Sequence, residues 1–441
     1  MDFAYADVAT NLYLTSFKRL NITNYLFIAL NKKCCDVLHA RGIHCMNYFP
    51  EFADGLEASA VGSASYNNKV NKKAVIALES LKLGFNPFLV DLDIVFFSDP
   101  GKIAYSLGKT HDLVVQDDSN GLFNTGFYYT RSTPKTIDLF TRFNRSQTKA
   151  VASTSDQNVI RGVLKSMKDV KLKLLDVKKF LVGNTYWEIP KRGFNYEHPW
   201  KTTDGSHAGH VIIHNNWLAT EEAKIYRMRE SLLWMVDENG YYSSKDRKYL
   251  VYDNPFMKIS DGIELERDAL VNALSIGYLL NRTVILPTFH CHSKRGAYFC
   301  TKNAQECPLM ALYSMSSFDK SFSGAYREHV FLSHDLVPES TRQSRSTMNY
   351  IATDNLRKLI PNLQDGIRKF SPKNMTTGAT PAEIQQWFGK VREKLLVFHN
   401  LYGAFAGLAK TADTETIRNR LASAFVPCNY RQRRCDKKTW F

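Results

Sequence analysis

The sequence predicts an α/β protein made of two successive domains. Three observations carry that reading. Short apolar, β-branched runs alternate with segments of helical periodicity, the rhythm of a largely parallel sheet flanked by helices. The same rhythm restarts near Lys245. Finally, 441 residues exceed what one ordinary domain core holds.

The totals narrow the class. A hydrophobic fraction of 44% with 12% aromatic residues supports sizeable cores and excludes a disordered chain. The net charge of +15 favours anionic partners such as nucleotide phosphates, nucleic acid or an anionic surface. The basic residues are dispersed, and only Arg431-Gln432-Arg433-Arg434 forms a dense run, so nucleic acid is not the expected partner. No apolar run approaches the ~18 residues that span a bilayer, and no signal peptide precedes the fold-like sequence. A membrane is therefore expected only through an anchor outside this chain. Eight cysteines are few for this length, and Cys291, Cys300 and Cys307 do not follow a zinc-ribbon spacing. Disulfides among them, together with sequons at Asn21, Asn144, Asn281 and Asn374, would place the protein in a secretory lumen. Without those features acting, a full-length chain of this kind would be cytoplasmic.

In chain order, Asn24–Leu30 and Ile43–Phe49 read as strands on either side of a helix over Cys34–Ala40. Residues 51–66 read as a loop. Lys69–Leu83 has apolar residues at helical spacing and Gly84 where a C-terminal cap belongs. Lys69, Lys72 and Lys73 share part of that helix surface, where they would reach a diphosphate or simply solvate the helix.

Phe88–Phe97 reads as one buried strand carrying Asp91 and Asp93. Two carboxylates at i and i+2 of a strand share a face, and burying them without a partner is costly. A hard divalent cation with open positions for phosphate oxygens meets that need. His111–Asp118 is a further strand leading into acidic residues. Asn124-Thr125-Gly126 forms a turn before Phe127-Tyr128-Tyr129, with a glycine that admits close backbone approach and an amide suited to sugar hydroxyls. After Pro134 a helix is expected over Thr136–Phe143, and Ser155-Asp156-Gln157-Asn158 opens the next one. Val211–Ile213 reads as a short strand that delivers His214 to its end, where an imidazole is a natural third ligand beside Asp-x-Asp.

Taken together, these motifs resemble the nucleotide-diphospho-sugar transferases. The resemblance rests on Lys72-Lys73, on Leu89–Phe96 followed by Asp99-Pro100, on Phe123–Tyr129 with Arg131-Ser132-Thr133-Pro134, on Ser155-Asp156-Gln157, and on His214-Asn215-Asn216-Trp217. It is closest to the group of plant arabinosyl- and rhamnogalacturonan xylosyltransferases and a protozoan α-galactosyltransferase. It implies a GT-A fold, a Rossmann-like domain with a mixed sheet, over residues 1–240. It also implies Mn²⁺ (or Mg²⁺) held by Asp91, Asp93 and His214, and a UDP-sugar donor of the galactose, xylose or arabinose class. Lys72, Lys73, Asp91, Asn124, Thr125 and Gly126 would bind the donor, with Asp156 and Gln157 near the anomeric carbon as the catalytic pair. The implied activity is a retaining transfer of sugar to a glycan or glycoprotein acceptor in the Golgi or another secretory lumen.

Residues 245–441 form the second α/β domain. Tyr249–Asp253, a helix over Ile263–Leu280 and Asn281–Pro287 make a βαβ unit. Ala273–Pro287 loosely resembles the opening of O-fucosyltransferase-like, GT-B-type domains, which implies a substrate-recognition domain or a degenerate half of such a fold. Lys394–Asn400 reads as a later strand, and stretches near 336–347 and 371–382 as surface loops. Three other functions compete. One is a carbohydrate-binding or scaffold protein on a transferase fold, and another a bifunctional two-domain transferase. The third is a phosphoryl-transfer or nuclease enzyme drawing further carboxylates from Asp117 and Asp118.

Overall fold

The computed structural model describes residues 1–49, 63–118, 121–149, 154–187, 209–218, 220–254, 263–290, 306–350, 368–370 and 378–427. The basic run at 431–434 and Cys291, Cys300, Cys428 and Cys435 lie outside them. The chain divides into two compact units: the first holds the chain to Tyr186, the segment ending at Thr220 and Leu233–Val236, and the second holds Glu221–Leu232 and the chain from Asp237 on.

The first unit opens with α1 (Ala6–Leu12), which runs on as a π-helical turn over Tyr13–Lys18. β1 (Phe27–Ala29), α2 (Lys32–Ala40) and β2 (Cys45–Asn47) follow, and the two strands pair in parallel. Cys35 and Cys45 form a disulfide that ties α2 to β2, while Cys34 is a buried thiol. Asn11 pins Leu233–Val236 to this unit, donating to the Leu233 carbonyl (3.0 Å) and accepting from the Met235 amide (2.7 Å).

Next come α3 (Ala64–Lys82), β3 (Phe88–Val90), β4 (Ile94–Phe96), α4 (Pro100–Gly108), β5 (Leu113–Asp117) and β6 (Phe123–Thr130). They are followed by α5 (Pro134–Lys149), α6 (Asp156–Ser166), β7 (Leu172–Leu174), β8 (Phe180–Val182), α7 (Gly183–Trp187) and β9 (Ile212–His214). One mixed sheet has the order β3-β6-β5-β7 and a second has β4-β9-β8.

Side-chain alternation along the central strands explains why the four-stranded sheet is buried on both faces. Leu113, Val115 and Tyr128 pack against Ala77, Leu81, Phe140 and Ile160 of α3, α5 and α6. Val114 and Phe127 point the other way, into a core shared with Ile94 and Phe96 of β4, Phe180 of β8 and Ile212 of β9.

The expected single strand over Phe88–Phe97 is two strands in two sheets. β3 pairs with β6 and β4 with β9, so the chain turns between them at Asp91-Leu92-Asp93. The two carboxylates share a turn and not a pleated face. Asn124-Thr125-Gly126, expected in a turn, lies inside β6, because β6 continues to Phe123 after a register shift opposite Val115–Asp117. The expected loop at 51–66 ends early: α3 starts at Ala64, with the Ser63 hydroxyl accepting from the Tyr66 amide.

The second unit contains a six-stranded, all-parallel sheet of β10 (Tyr249–Tyr252), β11 (Thr283–Ile285), β14 (Tyr326–Arg327), β15 (Arg345–Tyr350), β16 (Arg368–Phe370) and β17 (Leu395–Phe398), in the order β14-β11-β10-β17-β15-β16. A short antiparallel pair, β12 (Phe289–His290) with β13 (Glu306–Cys307), stands beside it, and Cys307 is disulfide-bonded. The helix over Ile263–Leu279 links β10 to β11 as expected. Gly277 lets this helix seat on the sheet, since a Cβ there would meet the Arg282 carbonyl at 2.7 Å. The 336–347 stretch is not a loop. It holds a helical turn over Glu339–Gln343 and enters β15, which lies between β17 and β16. Residues 371–377 lie outside the described residues, and a helix begins at Pro381 behind a capping box made by Thr380 and Glu383.

Candidate metal and donor site

The site sits where the two sheets of the first unit meet. The Asp91 amide donates to the Gly126 carbonyl of β6, and the Asn215 amide donates to the Asp93 carbonyl at 2.7 Å. The turn is thus fastened on both sides, to β6 at Asp91 and to the end of β9 at Asp93. Ile94 pairs with His214 across β4 and β9, and His214 Nε2 lies 3.4 Å from Asp93 Oδ1. One ligand atom from each of Asp91, Asp93 and His214 falls within 4.8 Å of the others. Asp93 and His214 are buried and Asp91 half-buried.

Gly126 gives these groups their space. A Cβ there would overlap Asp91 Oδ2 and stand 2.8 Å from His214 Cε1. The glycine is required by close approach and not by backbone conformation, because its φ is not positive.

Gln116 orients the imidazole. Its Nε2 donates to the carbonyls of Phe180 (3.3 Å) and Leu181 (3.0 Å), which turns Oε1 toward His214 Nδ1 at 2.8 Å. Nδ1 must therefore carry a proton, and Nε2 faces the Asp93 carboxylate. An Nε2 lone pair and a carboxylate at this distance repel each other unless a proton or a cation lies between them. This donor set, two carboxylate oxygens and one imidazole nitrogen with an oriented second nitrogen, fits a divalent cation.

Lys73 forms an ion pair with Asp91. Burial works to lower its ammonium pKa, and the charges of Asp91 and Asp156 outweigh that effect, leaving it above the usual lysine value. Lys72, the neighbouring residue and ~100° around the helix, stands over the Phe49 ring at 5.1 Å, and Lys69 pairs with Asp2 at 2.7 Å. Of the three lysines, only Lys73 is brought to the aspartates.

Asp156 is the first residue of α6, behind the Ser155 cap, where a carboxylate suits the helix dipole. Burial pushes its carboxyl above the usual range, while Lys73 and a hydrogen bond from Thr125 pull the other way. Gln157 Oε1 accepts from Arg161 Nη2 (3.3 Å), which also donates to the Phe123 carbonyl at 3.1 Å. Thus Lys73, Asp91, Thr125 and Asp156 form one connected polar group, with Gln157 held at its edge.

Asn124 is part of the frame. It donates to Asp118 Oδ1 (3.1 Å) and accepts from the Gly126 amide (2.8 Å). Asp118 Oδ1 also accepts from Asn216 Nδ2 at 3.1 Å, and Asn216 Oδ1 accepts from the Gly183 amide at 2.7 Å. Burial raises the Asp118 carboxyl above its usual range. Asp117 caps the following loop through the amides of Gly121 (2.8 Å) and Leu122 (3.2 Å). Neither carboxylate joins the Asp91–Asp93–His214 group, which is the one such group of three or more among the described residues. That removes the support for a second metal drawn from this pair. Sequence reasoning missed Gln116 and Arg161, and it named Asp118 and Asn216 without the bond between them. A signal existed for Gln116 alone: a buried polar residue inside an otherwise apolar strand demands a partner.

A profile of the family described as nucleotide-diphospho-sugar transferase matches residues 20–228. The chain is 25% identical over 207 residues to the UDP-galactose:fucoside alpha-3-galactosyltransferase of Dictyostelium discoideum, covering 41% of this chain and 30% of that protein. It is 27% identical over 217 residues to a UDP-D-xylose:L-fucose alpha-1,3-D-xylosyltransferase of Arabidopsis thaliana, covering 44% and 56%. Arabinosyltransferase RRA2 of Arabidopsis thaliana is 28% identical over 167 residues, covering 32% and 38%. The matched region spans about a third to just over half of these relatives' length. Lys73, Asp91, Asp93, Gly126, Asp156 and His214 all lie inside residues 20–228.

Proposed function

Residues 20–228 belong to the nucleotide-diphospho-sugar transferase family, and on that premise we propose that the protein is a metal-dependent, retaining glycosyltransferase. It takes a UDP-sugar of the galactose, xylose or arabinose class and transfers the sugar to a glycan or glycoprotein. The observation that carries this reading is the Asp91–Asp93–His214 group with its second nitrogen fixed by Gln116.

In this reading Asp91, Asp93 and His214 hold Mn²⁺ or Mg²⁺. The ion supplies Lewis-acid stabilisation of the charge that grows on the departing diphosphate. Gln116 keeps the His214 Nε2 lone pair available. Gly126, proposed at the donor site, leaves Asp91 and His214 the room to converge beside β6. Lys73 pairs with Asp91 and brings a permanent positive charge to the phosphate end of the site. Asp156 and Gln157 are the groups proposed to face the anomeric carbon, and Thr125 holds Asp156 in place. Asn124 serves the donor through the frame it shares with Asp118. Lys72 is kept as a more peripheral phosphate contact.

The first domain, about residues 1–240, carries this chemistry in the proposal, and the domain over 245–441 recognises substrate. The Cys35–Cys45 disulfide and the disulfide-bonded Cys307 support a secretory lumen such as the Golgi. No described helix is long and apolar enough to cross a membrane.

The test is UDP release across a panel of UDP-sugars with Mn²⁺, for the wild type and Asp93→Ala. Donor-specific release that disappears in the variant supports the reading. No release from any donor, together with no thermal shift from UDP and Mn²⁺, overturns it.

A further inference from the structure

Outside the metal site, α5 and α6 enclose a shallow groove of about 430 Å³, within the range of small-ligand sites. Arg142, Arg145 and Ser146 line it from α5, and Asn158, Val159 and Gly162 from α6. Among the described residues, the Arg145 guanidinium has no hydrogen-bond or ion-pair partner. Arg142 holds Asp138 through Nε and Nη2, and Asp138 is the acid that faces it. The groove thus has a net positive wall, hydroxyl and amide groups from Ser146 and Asn158, and an apolar floor at Val159. Gly162 leaves that floor open, since a Cβ there would meet nothing within 4 Å.

The groove is also tied to the candidate site. Asn158 Oδ1 accepts from Arg161 Nη1 at 3.4 Å, and Arg161 Nη2 reaches Gln157 Oε1 and the Phe123 carbonyl. Asn158 is two residues along α6 from Asp156.

We propose that this groove is a subsite for an acidic saccharide, a sugar chain bearing carboxylate or sulfate groups that pair with Arg145 and Arg142. Planar guanidinium groups match such anions bidentately, Ser146 and Asn158 suit sugar hydroxyls, and Val159 suits a sugar's C–H face. The proposal rests on the transferase reading only in treating this saccharide as part of the acceptor; the binding itself is tested separately.

The experiment measures binding of three hexasaccharides at 150 mM salt: an oligouronate, a sulfated chain and a neutral chain. The proteins are the wild type, Arg145→Ala, Gly162→Leu and the control Lys109→Ala. An acidic chain should bind the wild type, about tenfold more weakly to Arg145→Ala, and not measurably to Gly162→Leu. Gly162→Leu fills the groove while improving helix propensity, so its melting temperature should hold or rise, which separates blockage from unfolding. The uronate and sulfate arms identify which anion the groove takes. Equal binding of the neutral chain, unchanged binding by both groove variants, or an equal loss in Lys109→Ala overturns the proposal. The UDP–Mn²⁺ thermal shift, read on the same proteins, distinguishes the two failures. If the shift persists without saccharide binding, the groove proposal fails; if saccharide binds without the shift, the donor reading fails.

Discussion

Gly126→Ala is a single-methyl probe of the candidate metal site. The new Cβ would overlap Asp91 Oδ2 and come within 2.8 Å of His214 Cε1. Both are ligand side chains backed by other contacts: Lys73 and the turn for Asp91, Gln116 and β4 for His214. Because Gly126 has no positive φ, the backbone itself tolerates alanine, and without the clash the change would stabilise the fold by ~0.4–1 kcal/mol. Overpacking of this kind costs roughly 1–3 kcal/mol. A net loss of about 1–2 kcal/mol is expected, which lowers the melting temperature by roughly 2–8 °C. Displaced ligands should weaken metal binding roughly 10–100-fold, as supporting-residue changes do. At saturating wild-type ligand, a 100-fold loss removes about 2.7 kcal/mol of ligand stabilisation. Differential scanning fluorimetry with UDP, titrated with Mn²⁺, reads both quantities. A variant that melts higher than wild type and keeps the full UDP–Mn²⁺ shift would refute the close-approach argument and the metal assignment with it.

Gln116→Leu removes the acceptor that fixes His214, so Mn²⁺ affinity should fall roughly 10–100-fold, measured by Mn²⁺ titration; unchanged affinity would show that the ring needs no orienting partner. Asp118→Ala strands the amides of Asn124 and Asn216, at a cost of roughly 1–3 kcal/mol for each donor left without a partner, read by urea unfolding. Burial pushes the Glu266 carboxyl up to about 7 even though Asn254 and the His290 amide donate to it. The folded state then binds the proton more tightly than the unfolded state. This contribution is fully present below about pH 4.5 and is lost as pH rises through about 7, at a slope of up to about 1.4 kcal/mol per pH unit. Glu266→Gln should flatten that decline in a stability–pH series, and an unchanged slope would assign it to other groups. Reduction of Cys35–Cys45 should lower stability by roughly 2–3 kcal/mol, visible as an earlier melt in dithiothreitol.

The sequence by itself determined what depends on local pattern. The continuous apolar run Leu113-Val114-Val115 dictates a strand buried on both faces. Ser155 before Asp156 dictates a helix start. The Asp91, Asp93 and His214 residue types point to a cation because carboxylates brought together beside an imidazole call for a positive charge between them. Tertiary structure decided how those groups meet. Asp91 and Asp93 converge through a turn joining two sheets, which a local strand pattern cannot distinguish from one continuous strand. Lys73 and not Lys72 reaches the site, a choice made by the rotation of α3 against β6. Gln116 and His214 lie 98 residues apart, and Asp118 and Asn216 likewise. Contacts at that separation are set by packing between elements, and the energy that selects them is spread over both cores of the domain rather than written at any one position.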